Sequence, residues 1–198
     1  MSGEGSQVRK IAYHKAHEDY QIKEFIQNDI AIVTLEDPLD FSDPKVQPIE
    51  SWNGPVKPNT YCLAIGCTQT RASKFDYASQ IVDSQVLSID ACQQEFSLYG
   101  ILIRPGMFCA KKPCAYIRSN VRCNGDSGSP IICPDTSGTL KMAGLVSWGL
   151  DDCSRNSITV FTDISHYQDW IANNTEKENS VEPRSASTSS NIIFPSRK

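Results

Sequence analysis

The chain has 198 residues, 39% of them hydrophobic and 21% charged, with 19 basic against 23 acidic side chains and a net charge of −4. That length supports one good-sized core or two small ones. No basic block is present to neutralise phosphates, which argues against a nucleic-acid partner, and no run of about 18 apolar residues is present, so no membrane-spanning helix is expected.

In chain order, residues 1–7 are polar and glycine-rich and are expected to be disordered. The stretch MSGEGSQVRK has no apolar h-region and does not resemble a secretory signal. From residue 8 the apolar segments are short and rich in β-branched residues. They are VRKIAYH (8–14), DIAIVTL (29–35), YCLAIGC (61–67), SQIVDSQVLSI (79–89), SPIICP (129–134), KMAGLVSWG (141–149) and SITVFTDI (157–164). Turn-forming clusters separate them, such as EDPLDFSDP (36–44) and SWNGPVKPNT (51–60). Short, evenly spaced strands between such turns predict an all-β barrel or sandwich. Helical periodicity is clearest at 164–174, where Ile164, Tyr167, Trp170 and Ile171 share one face. A short helix is expected within 88–97, with Asp90 as candidate N-cap.

Beyond Asn174 the chain turns polar and serine-rich, so residues 175–198 are expected to form a disordered tail. NIIF (191–194) is an apolar run there and is assigned to the same tail, with a short docking segment as the alternative. Asn173-Asn174-Thr175 is an N-glycosylation sequon, which places a glycan on Asn173 if the protein is secreted.

Eight cysteines lie at 62, 67, 92, 109, 114, 123, 133 and 153, none in a CxxC pair and none near His14, His17 or His166 in the manner of a zinc site. No metal and no cofactor is expected. An even number of dispersed cysteines predicts four disulfides and an oxidising compartment.

CNGDSGSPIIC (123–133) sets Ser127 between glycines. With the segments around it, this stretch resembles the trypsin/chymotrypsin-like serine proteases. Gly125-Asp126-Ser127-Gly128-Ser129-Pro130 is similar to their GDSGGP nucleophile motif, NDIAIVTLEDPLDFS (28–42) to their DIALLKL segment, and CLAIGC (62–67) to their CxxSGWG strand. MFCA (107–110), LVSWG (145–149) and YQDWIANN (167–174) match further segments in the right order. The resemblance implies a chymotrypsin-like double antiparallel β-barrel with a short C-terminal helix. The first barrel is incomplete at about 8–58, the second spans about 59–163, and the helix about 164–174; together they form one domain over 8–174.

It also implies the site. Ser127 would be the nucleophile and Asp29 the residue that orients the general base, with the N–H groups of Gly125 and Ser127 as oxyanion donors. Ser147 would hydrogen-bond Asp29, and Ser147-Trp148-Gly149 would pair with an extended substrate. Val121 would lie at the floor of the substrate pocket, with Arg122 beside it and Thr159 on its wall. Valine cannot bind Lys or Arg as an aspartate would, so tryptic cleavage is not expected. The disulfides implied are Cys62–Cys133, Cys92–Cys109 and Cys123–Cys153, leaving Cys67–Cys114 as the fourth. Partners would be a polypeptide substrate or a protein inhibitor, the chain is expected to be a monomer, and the full-length parent would be secreted.

The sequence departs from the family at its front. It carries neither an Ile-Val-Gly-Gly activation terminus nor an Ala-Ala-His-Cys segment with the base histidine. His14 and His17 fall in a later family segment and His166 in the terminal helix, so none is expected to be the base. The chain is therefore expected to be a front-truncated and inactive serine endopeptidase domain. The alternative is a non-catalytic pseudoprotease that binds a partner protein through the Ser147–Gly149 edge.

Overall fold

The computed structural model describes residues 6–22, 26–69, 77–111, 126–149, 158–175 and 191–194, with the side chains of 66–69, 77–80 and 191–194 left aside. Its centre is a closed six-stranded antiparallel barrel. In chain order the barrel strands are β3 (Tyr61–Gln69), β4 (Tyr77–Val86), β5 (Met107–Lys111), β6 (Pro130–Pro134), β7 (Leu140–Gly149) and β8 (Ile158–Asp163). Around the barrel the order is β3-β4-β5-β8-β7-β6, and β6 closes it by pairing with β3 at Leu63↔Ile132 and Ala64↔Ile131. β6 shows the period-two pattern plainly: Ile131 and Cys133 point inward and are fully buried, while their neighbours are half-buried. These two join Cys62, Val86, Ala110, Ala143 and Phe161 in the barrel core.

A second sheet precedes the barrel in sequence. It pairs β1 (Ile11–Ala16) with β2 (Ala31–Leu35) and β2 with β9 (Asn191–Phe194), all antiparallel. The all-β architecture expected from the sequence is the one observed, with the first sheet carrying three strands among the described residues. β9 differs from the expectation of a disordered tail over 175–198. Residues 191–194 form a strand because β2 offers them an edge whose backbone groups need partners. Thr175 also departs from it, as the last residue of a helix.

Helix α1 (Ile89–Ser97) begins at Ser88, whose hydroxyl accepts from the Ala91 N–H at 3.2 Å. Ser88, not Asp90, is thus the N-cap. A cap side chain must reach the N–H three residues on, and Asp90 already lies inside the first turn, where its charge complements the helix dipole. The Cys92–Cys109 disulfide fastens α1 to β5, and Phe96 is buried beside it. Cys62–Cys133 crosses from β3 to β6. Cys114, Cys123 and Cys153, and the side chain of Cys67, lie outside the described residues, and so do the two bridges expected of them.

The terminal segment opens as a 3-10 turn, Ile164–Tyr167, and continues as α2 (Gln168–Thr175). Asp163 caps it by accepting from the Ser165 N–H at 2.9 Å. The face read from the sequence is the one that packs. Ile164 and Tyr167 are buried with Ile30 of the first sheet and Leu145 of β7, and Trp170 and Ile171 lie against them. This cluster joins the first sheet to the barrel, and Asp29 adjoins it in sequence at Ile30.

Candidate active site

Asp29 enters β2 through a tight reversal. Asn28 has φ +51°, a left-handed conformation that asparagine tolerates better than most residues, and the Ile30 N–H bonds back to the Asn28 carbonyl at 2.9 Å. The asparagine side chain is held at both ends: its amide donates to the Asp19 carbonyl at 2.9 Å and its oxygen accepts from the Tyr167 hydroxyl at 3.0 Å. Asp29 is consequently fixed from behind, with only 3% of its surface exposed.

Two buried hydroxyls from the barrel meet this aspartate. Ser147 Oγ donates to Asp29 Oδ2 at 2.5 Å, and Thr162 Oγ1 donates to the Asp29 carbonyl at 2.8 Å. Ser147 reaches inward because β7 bulges there. Val146 pairs with Phe161 and Trp148 with Val160, so Ser147 is the extra residue, and a bulge re-aims the side chain it carries. A carboxylate at this depth needs strong donors, and a hydroxyl bond to a charged acceptor is among the stronger kinds.

Ser127 lies on the next piece of the barrel. Residues 126–129 form a reverse turn closed by the Ser129 N–H to the Asp126 carbonyl at 2.9 Å. Gly128, third in the turn, has φ +93°, the positive value that a type II turn requires there and that a Cβ would disfavour. The turn is docked on β7 by two backbone bonds, Gly128 N–H to the Val146 carbonyl and Val146 N–H to the Ser129 carbonyl, each 2.9 Å. Ser127 is therefore presented on an exposed corner, anchored through Val146 to the residue beside Ser147.

Beyond Ser147, Trp148 packs its indole edge-on against Phe96, with ring centroids 5.0 Å apart, and pairs with Val160. Gly149 pairs with Thr159, and a Cβ on Gly149 would come within 3.1 Å of the Ile158 carbonyl. Thr159 is half-buried and also pairs with Ala110 of β5. Val121, Arg122 and Gly125 lie outside the described residues.

The three histidines are placed away from this arrangement. His14 is exposed on β1. The His17 ring stacks on Trp170 at 5.1 Å and meets Tyr167 edge-on at 5.6 Å, while its Nδ1 accepts from the Asp19 N–H at 3.2 Å. His166 is exposed, with its ring edge-on to Tyr167 at 5.0 Å. Nearby, Glu18 receives Lys15 at 2.7 Å and the Trp170 indole N–H at 2.8 Å. These bonds, Lys15 foremost, hold its carboxyl down to about 2. Among the described residues no group of three or more His, Cys, Asp or Glu side chains is gathered as a metal would need.

Asn28, Thr162 and Tyr167 are the residues of this site that sequence reading passed over as supports. Asn28 stands next to Asp29, and an asparagine ahead of a strand is a turn signal, but its hydrogen bond to a residue 139 positions away has no local signature.

Tyr167 gives a direct readout of how closed this region is. Burial, reinforced by the negative charges of Asp163 and Asp29, pushes its hydroxyl up to about 12. An unfolded tyrosine ionises near pH 10. Because the folded value is the higher one, the associated stability is complete below about pH 10 and is lost as pH rises towards about 12. In an alkaline titration followed by phenolate absorbance, a late step near pH 12 is expected and should vanish in Tyr167→Phe. A Tyr167→Phe titration identical to the parent's would show that the hydroxyl is not enclosed.

A buried aspartate bonded to a serine on a bulged barrel strand, beside a glycine-turned serine docked on the same strand, is the arrangement of a trypsin-type serine protease domain. The chain belongs to that family: the family model described as Trypsin matches residues 1–171. Among curated proteins it is 30% identical over 185 residues to coagulation factor XII of Rattus norvegicus, covering 88% of this chain and 30% of that protein. It is 31% identical over 171 residues to transmembrane protease serine 11G of Mus musculus, covering 85% of this chain and 40% of that protein. Kallikrein-14 of Homo sapiens is 29% identical over 168 residues, covering 83% of this chain and 58% of that protein. The chain thus spans less than half the length of the first two of these relatives.

Proposed function

We propose that this domain is built for peptide-bond hydrolysis through an acyl-enzyme on Ser127, and that the chain as it stands does not turn over. Asp29 is the residue that would orient and stabilise a protonated base, and the Gly125 and Ser127 N–H groups would hold the oxyanion. Val121, Arg122 and Thr159 would line the substrate pocket, and Ser147-Trp148-Gly149 would pair with the substrate backbone. One observation carries this reading: Ser147, 118 residues from Asp29 in sequence, donates to its carboxylate in a buried contact. A fold with no use for an oriented carboxylate has little reason to bury one in this way.

The predicted inactivity rests on the base. Each histidine is exposed or held in the Trp170–Tyr167 cluster. A triad without one member loses roughly 10⁶ in turnover, because its parts act as a unit. A serine-directed phosphonyl probe tests this. Labelling of Ser127 no greater than in Ser127→Ala is expected, and stoichiometric modification of Ser127 would overturn inactivity. If the probe fails while the chain captures a folded protease inhibitor, the domain acts as a binding module.

The remaining proposals follow from the same reading. The partner is a polypeptide whose side chain at the pocket is not Lys or Arg, the chain is a monomer, and its parent works in an oxidising, extracellular setting, supported by the two disulfides. No helix among the described residues is long and apolar enough to cross a membrane. Asn173 is exposed near the end of α2 and is proposed to carry a glycan in that setting.

A further inference from the structure

The outer edge of β2 lies opposite the edge that pairs with β1. β2 is among the most enclosed parts of the first sheet: Ile30, just before it, is 0% exposed, Ala31 6% and Ile32 2%. A strand this buried cannot leave a row of N–H and C=O groups open without cost or risk of association. β9 covers the edge in a continuous antiparallel register, Ala31↔Phe194, Ile32↔Ile193, Val33↔Ile192 and Thr34↔Asn191.

The segment that does this is singular in its surroundings. Residues 175–198 are polar and serine-rich, and Ile192-Ile193-Phe194 is the one run of three apolar residues among them. It contacts the sheet through four residues, joined to α2 by residues 176–190 of the sequence. A strand of four residues is weak alone. A tether of this length supplies a local concentration of about millimolar order, which favours occupancy in cis while leaving the strand replaceable.

We propose that the outer edge of β2 is a strand-accepting surface, and that its occupant is the chain's own C-terminal segment Asn191–Phe194, acting as a detachable internal strand. The surface selects an extended, antiparallel, β-branched and aromatic segment, with main-chain bonds providing the attachment. Its position gives it reach into the site: Ala31, the partner of Phe194, is two residues from Asp29. Any exchange of the strand at this edge is therefore felt where Asp29 leaves its turn. The inference does not depend on the catalytic reading of Ser127.

Amide hydrogen exchange on the full chain is the first test. Ile192–Phe194 and the amides of β2 are expected to exchange slowly, and exchange of 192–194 at the rate of an unfolded peptide would overturn the proposal by itself. In a chain lacking residues 176–198, β2 exchange is expected to rise about tenfold or more, with the barrel amides at Ile131 and Leu145 unchanged. A peptide of residues 188–196, TSSNIIFPS, should restore that protection and bind the shortened chain about tenfold or more tighter than the full chain, where the tethered strand competes. The same peptide with Ile193→Asp should do neither. Equal binding to both chains, equal binding by the Asp peptide, or unchanged β2 exchange on truncation would each refute the assignment. Should the shortened chain not fold, the full chain with Ile192→Asp and Ile193→Asp supplies the same comparison.

Discussion

Ser147→Ala is expected to lower the stability of the domain by about 1.5–3 kcal/mol, well above the effect of removing an ordinary hydroxyl bond. The reason is what it leaves behind. Asp29 is 3% exposed, and its Oδ2 loses a donor that reaches it from the bulge of β7. A buried charged acceptor deprived of a donor carries a desolvation cost that the folded state cannot offset by recruiting bulk water. Thr162→Val is the informative contrast. It removes a bond of similar length to the same residue, but the acceptor is the neutral Asp29 carbonyl, and the side-chain volume is conserved. A smaller loss of about 1 kcal/mol is expected there. Asp29→Ala should cost roughly 2–3 kcal/mol, because it strands the Ser147 hydroxyl as well as losing the bond. The double variant Asp29→Ala/Ser147→Ala should cost clearly less than the sum of the two singles, since neither group is then left without the other. Urea unfolding of the four proteins at constant m-value measures this. Additive losses, or a Thr162→Val loss equal to that of Ser147→Ala, would show that the buried contact is not the coupling described.

The parts of this molecule that were legible in the sequence are those with a local cause. β2 was readable at Asp29–Leu35 because an apolar, β-branched run begins sharply at a polar turn. The terminal helix was readable because Ile164, Tyr167, Trp170 and Ile171 must share a face to be buried at all, and they are found together against Ile30 and Leu145. The corner bearing Ser127 was readable because Gly128 permits the positive φ that its turn demands. What escaped has causes far along the chain. Asn28 and Thr162 acquire their meaning from hydrogen bonds across 139 and 133 residues, so neither had a local pattern to announce it. Ser88 displaced Asp90 as the cap of α1 by a two-residue offset, a distinction that depends on where the first helical turn closes. β4 runs Tyr77–Val86, against an expected 79–89, because its ends follow its ladder with β3 and not its own composition. β9 is the clearest instance: four residues in a polar tail have no intrinsic reason to be a strand, and the reason is an edge 160 positions earlier, where Asn191 meets Thr34 and Phe194 meets Ala31.

Severing the Cys62–Cys133 bridge, by substituting both residues with alanine, is expected to cost about 4 kcal/mol, against about 3 kcal/mol for the same change at Cys92 and Cys109. The difference comes from the unfolded chain. The first bridge closes a loop across 71 residues and the second across 17. If a crosslink acts by restricting the unfolded ensemble, the longer loop removes more freedom, with a gap of about 1 kcal/mol between the two lengths. Packing acts in the same direction. Cys62 and Cys133 are 1% and 0% exposed inside the barrel core with Ile131 and Phe161, and they tie the two strands whose pairing closes the barrel. Cys92 and Cys109 are as deeply buried, at 0% and 1%, but they join α1 to β5 at the flank, where Phe96 and Trp148 already hold the helix. For a domain with the usual 5–15 kcal/mol of stability, either loss is a large fraction of the total. Removing the barrel bridge should also open the barrel seam, so the exchange of Ile131 and Ile132 amides should accelerate more than that of the α1 amides. Denaturant midpoints and amide exchange on the two double variants measure both effects. Equal losses, or a greater loss at Cys92–Cys109, would mean that native-state contacts around α1 outweigh the loop-length term.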